Sequence, residues 1–158
     1  MANTQAMCTS FLGEVLTATH NFGTAPIRAV TTADTFKAAL YLTTATINAA
    51  TTAYSSSDEV SGTGYTPGGV AVTNATAPLA SNTSTTAGTA YWTPSASITY
   101  TTVTLTTAFD TVLIYNSTQS DKAVSVHTFG SQTITAGTFT LTMPTNNTST
   151  ALLRIATT

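Results

Sequence analysis

Charge is scarce in this chain. Of 158 residues, only Arg28, Lys37, Lys122, Arg154, Glu14, Asp34, Asp58, Glu59, Asp110 and Asp121 carry it, 6% of the sequence. A globular domain normally has roughly a quarter charged residues. Four dispersed cations cannot build a patch that tracks phosphates, so nucleic acid is not an expected partner. Disorder goes with high net charge and low hydrophobicity. Here the net charge is −2 and 42% of residues are hydrophobic, which favours a folded chain. No apolar run approaches the ~18 residues of a membrane span. The opening MANTQAMC lacks the basic region and apolar stretch of a signal peptide, so synthesis in a cytoplasm is expected. Cys8 is the one cysteine and excludes an internal disulfide.

Threonine is what the chain has in excess, with 41 copies. It is β-branched, stiff at its first side-chain torsion and suited to a pleated surface. It also covers a solvent face without charge. The composition predicts an all-β protein, and the length fits one domain with a short terminal arm.

Residues 1–33 form that arm. Ser10 is positioned to cap a short helix whose Phe11, Leu12, Val15 and Leu16 fall at helical spacing; Gly23 would end it, with His20 near its C-terminal end. So short a helix needs a surface to dock on. Thr24 to Ala33 reads as an extended connector. From Asp34 to the end, residues 34–158 read as a β-domain. Phe36, Ala38, Leu40 and Leu42 alternate as in a half-buried strand. The glycine-rich 62–69 run leads as a loop into Val70 and Val72, and 74–89 reads as a polar loop. Ile98 and Tyr100 differ in parity from Val103 and Leu105, so a bulge near Thr101 would put all four on one face. Val112–Tyr115 reads as a strand covered on both sides. Val124 and Val126 alternate with Ser125 and His127, residues 132–143 resemble a hairpin around Ala136-Gly137, and Leu153 and Ile155 close the chain as a strand. About eight short strands suggest a β-sandwich, jelly-roll-like, preceded by the helix and arm.

Chemistry has little to build on. His20 and His127 are the only imidazoles, and no nucleophile-elbow context surrounds a serine. His127 reads as a satisfied strand residue and Cys8 as a small buried hydrophobe. Asp58-Glu59 lacks the flanking pattern of a calcium loop, and the 62–69 loop lacks the ending of a phosphate loop. No catalytic residue, metal ligand or cofactor is expected. Tyr91 and Trp92 have the surface to stack on a sugar, but such a pair more often serves a core or an interface. T-x-T occurs without the fixed period of an ice-binding solenoid. A threonine-rich adhesive module stays open.

Several segments resemble a family of small structural proteins of tailed bacteriophages. They are DTFKAALYLTTATINAATTAYSSSDEVSGTGYTPGGVAV (34–72), YWTPSASI (91–98), FDTVLIYN (109–116), KAVSVHTFGSQTITAGTFTLTMP (122–144) and ALLRIA (151–156), with MCTSFLGEVLTATHNFGT (7–24) similar to the leader of some members. The resemblance implies a non-enzymatic virion component, made in a bacterial cytoplasm. Capsid decoration or cement is the first expectation, with the major capsid protein as partner. A tail or head–tail junction component is the second, and a receptor- or glycan-binding adhesive module the third.

For that role, edges left without lysine and a surface with little charge favour a symmetric homo-oligomer. Phe11, Leu12, Val15, Leu16, Tyr91 and Trp92 are the candidate partner contacts. Deletion of residues 1–23 is expected to leave the β-domain folded.

Overall fold

The computed structural model describes residues 3–8, 11, 14–15, 19–20, 22, 33–73 and 77–156. These residues are almost all β, in two antiparallel sheets of a sandwich-like fold. The strands are β1 (Ala6–Met7), β2 (Phe36–Leu42), β3 (Val70–Val72), β4 (Leu79–Ala80), β5 (Thr89–Trp92), β6 (Ile98–Asn116), β7 (Lys122–Leu141) and β8 (Leu153–Ala156). The larger sheet has the order β1-β7-β6-β2-β3 and the smaller β4-β5-β8.

Two strands dominate. β6 and β7, of 19 and 20 residues, form one long hairpin closed at 117–121, where Ser120 and Asp121 adopt positive φ. The expected short hairpin at 132–143 is therefore not one. That stretch runs straight through as the far half of β7 and pairs with 98–109 of β6. Ala136-Gly137 supplies a bulge instead of a turn: Ala136 has φ of 47°, and the register shifts there. The bulge expected near Thr101 is present. Register slips between Tyr100 and Val103 around Thr102 at φ 53°, and Ile98, Tyr100, Val103 and Leu105 are all buried.

β2 departs from simple alternation. Ala39 and Tyr41 are as fully buried as Phe36, Ala38 and Leu40. The cause is the excursion between β2 and β3, which folds back over the sheet. Val60 N–H donates to the Leu40 carbonyl at 3.0 Å, and Tyr41 Oη donates to the Ser55 carbonyl at 2.5 Å. Gly69, at φ 73°, sits so close to β2 that an added Cβ would overlap the Ala38 carbonyl oxygen. Only glycine meets both demands. The stretch read as a polar loop contains β4 at Leu79–Ala80, paired with β5, while residues 74–76 lie outside the described residues.

In the N-terminal segment, Phe11, Glu14 and Val15 are helical, while Ser10, Leu12, Leu16, Gly23 and the 24–32 connector lie outside the described residues. β1 adds to the edge of β7 through Ala6↔Val126 and Met7↔Ser125. Cys8, Phe11 and Phe22 belong to the same core cluster as the strands. Phe22 stacks on Phe36 of β2 with ring centroids 4.5 Å apart and meets Trp92 of β5 edge-on at 4.8 Å, so it bridges the sheets. Removing 1–23 would strip this layer from the core, a cost that the expected folding of the β-domain without it has to bear.

Candidate functional site: an apolar groove between the helix and the small sheet

Each ionisable cluster is committed to structure. The Glu59 carboxylate accepts hydrogen bonds from Tyr54 Oη (2.7 Å), Tyr65 Oη (2.7 Å) and the Gly68 amide (2.8 Å). Burial, reinforced by the adjoining Glu59, pushes the Tyr54 and Tyr65 phenols up and keeps them protonated donors. Tyr115 Oη donates to the Gly68 carbonyl at 2.7 Å, and Tyr100 Oη to the Ala38 carbonyl at 2.8 Å. Three of the six tyrosines (41, 65 and 115) thus fasten the 53–69 excursion to the sheet, Tyr54 braces Glu59 within it, and Tyr100 ties β6 to β2 beneath it. The 62–69 loop is part of this clamp.

The second cluster fastens the N-terminal segment. His20 Nε2 lies 2.7 Å from Glu14 Oε2, and Lys122 Nζ lies 2.6 Å from Glu14 Oε1. Asn116 Nδ2 donates to His20 Nδ1 at 3.0 Å and to Asp34 Oδ2 at 2.8 Å. Asn116 Oδ1 in turn accepts from the Thr118 and Gln119 amides at 3.1 and 3.2 Å, which fixes the orientation of its amide. This network assigns the His20 proton to Nε2. Burial, opposed by Glu14, lowers the His20 pKa, so the ring is neutral. Burial alone would raise Glu14, but the hydrogen bonds from Lys122 and His20 hold its carboxyl below the usual range.

The remaining candidates for reactivity are quiet for physical reasons. Cys8 is fully buried, and desolvation pushes its thiol up to about 11, so it carries no thiolate at neutral pH. His127 sits 2.9 Å from Ser125 Oγ, and burial lowers its pKa to about 4. Among the described residues, no group of three or more His, Cys, Asp or Glu side chains is placed to hold a metal.

The surface feature that stands apart is apolar. A groove of about 160 Å³ is lined by Phe11, Val15, Phe22, Pro78, Tyr91, Trp92 and Ile155, among others. It opens where the N-terminal helix meets β5 and β8. Its floor is Phe11 and Trp92, each 2% exposed, and its rim includes Val15 at 38% and Ile155 at 42%. Leu79, at 46%, pairs with Tyr91 on the adjoining strand.

Four of the six residues expected to contact partners, Phe11, Val15, Tyr91 and Trp92, come together at this groove, while Leu12 and Leu16 lie outside the described residues. Phe11 and Trp92 are buried in the core cluster and form the floor of the groove, while Val15 and Tyr91 are more exposed beside it. Ile155 was read only as part of the closing strand with Leu153, and Leu79 fell in the stretch read as a polar loop, so neither stood out as a rim residue.

Compared with protein-family models, with curated proteins and with solved structures, the chain matches none.

Proposed function

We propose that this protein is a non-enzymatic structural component of a tailed-bacteriophage particle, and specifically a decoration or cement protein that binds the major capsid protein. The phage assignment rests on the ordered resemblance of 34–72, 91–98, 109–116, 122–144 and 151–156 to such proteins. The assembly role is carried by one observation, the apolar groove with Val15 and Ile155 exposed on its rim. Such a rim favours burial against a protein, at roughly 25 cal/mol per Å² before the costs of association. Repetition over a shell multiplies a weak contact through avidity.

The test pairs imaging with rim substitutions. Density for the chain at many equivalent shell positions supports decoration, and a dozen or fewer copies at one vertex supports the tail or junction reading. Val15→Lys with Ile155→Lys should abolish particle binding while the unfolding midpoint stays within experimental error. Undiminished binding would overturn the groove assignment. A second reading, glycan binding, is favoured by the concavity of about 710 Å³ along residues 82–89, rich in threonine and serine hydroxyls. Saturable binding of the isolated protein to a glycan array would establish it.

A further inference from the structure

The outer edge of β7 is guarded at one end and open at the other. Near the hairpin turn, Ala53 bridges to Lys122 and the Ala123 amide donates to the Thr52 carbonyl at 3.0 Å. Next, the Cys8 amide donates to the Val124 carbonyl at 3.1 Å, and β1 pairs with Ser125 and Val126. Beyond Val126, no described residue pairs with β7 on that side. Residues 130–133, 135, 136, 138 and 140 are exposed.

Soluble sheet proteins protect such an edge with lysine, with proline, with bulges that twist it away, or by covering it. From Thr128 to Leu153 there is no ionisable residue at all, and from Thr128 to Leu141 no proline. The bulge at Ala136 twists the strand and leaves exposed stretches on either side.

Gly130 adds an independent observation. A Cβ built on it meets no atom within 4 Å, and its φ is not in the left-handed region. Gly130 sits in the register shift where Thr128–Gln132 of β7 oppose Phe109–Thr111 of β6, a place where glycine marks a bulge, and the open space beside it leaves this edge accessible to another strand.

We infer that the β7 edge from Gly130 to Leu141 pairs antiparallel with the same edge of a second copy, across a two-fold axis, joining two five-stranded sheets into one. A second copy is the fitting occupant because self-pairing of an uncharged strand opposes no like charges and, with Gly130 opposite Leu141, sets Thr133 against Thr138 and Ser131 against Thr140. The chain already makes such a pair internally: Thr99 opposes Thr140 across β6 and β7, with their hydroxyl oxygens 3.4 Å apart. Cross-strand threonine pairs stabilise a sheet, and a two-fold interface is self-complementary. This inference rests on the assembly reading above and names the surface through which copies meet.

Sedimentation over a dilution series, with circular dichroism as the folding control, tests it. The unaltered protein should be dimeric. Thr133→Lys with Thr138→Lys should keep the fold and raise the dimer dissociation constant by about tenfold or more. Mixing that variant with Thr133→Glu/Thr138→Glu should restore a heterodimer. Gly130→Val should fold, since open space receives the side chain, and should also weaken the dimer. A protein monomeric at all concentrations would overturn both this pairing and the homo-oligomer part of the assembly reading. A dimer indifferent to all these substitutions would overturn the pairing alone.

Discussion

Tyr65 Oη donates to Glu59 at 2.7 Å while accepting the Leu40 amide at 3.0 Å, so one phenol joins the 53–69 excursion to the central strand β2. Tyr65→Phe removes both bonds at once and leaves a buried amide without its acceptor. The cost should be about 1–3 kcal/mol, read as a lowered urea midpoint with an unchanged slope. Tyr54→Phe removes a single bond at a more exposed position and should cost less. Equal effects would contradict the bridging role of Tyr65.

Gly69→Ala should be far more damaging than its size suggests. The new methyl meets the Ala38 carbonyl, and the backbone at φ 73° disfavours any side chain. Relief requires β3 to move off β2, with a loss above about 3 kcal/mol. Faster hydrogen exchange at Val70–Val72 would report that movement, and native protection there would contradict it.

Acid should destabilise the protein through its histidines. His20 and His127 are both held below the ordinary value of 6.5, His127 at about 4, so the unfolded chain binds more protons as pH falls. Their contribution is complete above pH 6.5 and fades on acidification, for His127 down to about 4. Below 4.5 the lowered Glu14 adds a loss of the same sign. The His127 part should be on the order of 3 kcal/mol. His127→Gln should flatten the stability profile between pH 6.5 and 4, and an unchanged slope would remove His127 as a cause.

The Cys8 thiol should resist disulfide-exchange reagents in the native protein and react at once in denaturant. Its burial and its raised pKa act together. Cys8→Ser places a hydroxyl in the same site and should cost about 1–3 kcal/mol. Rapid native labelling would show that β1 leaves β7 frequently.

Much of this architecture was legible from residue order. The β-class follows from threonine, β2 and β8 from their apolar residues, and the Thr101 bulge from the parity change between Tyr100 and Val103. Ala136-Gly137 misled because the same dipeptide chemistry serves a turn and a bulge, and only the partner strand decides between them. The Glu59 clamp was hidden because its donors are spread from Tyr54 to Gly68 and its supporting phenols reach Tyr115. A signal existed, however: an acidic residue in so uncharged a chain needs donors, and the tyrosines were the nearest supply. Of the groove, the sequence exposed the helical side through Val15 and the β5 side through Tyr91. It could not show that β8 would bring Ile155 to the same rim.

The pairing of β1 with Ser125 and Val126 also sets the order of events during synthesis. Residues 6 and 7 leave the ribosome well before their partners, which follow about 120 residues later, roughly ten seconds at ordinary elongation rates. Until then Cys8, whose amide donates to the Val124 carbonyl, has no strand to settle on. Such distant contacts make for slow folding. The nascent chain therefore passes through a period of accessible thiol and bare apolar surface, and the decay of Cys8 labelling on stalled chains of increasing length would time its closure.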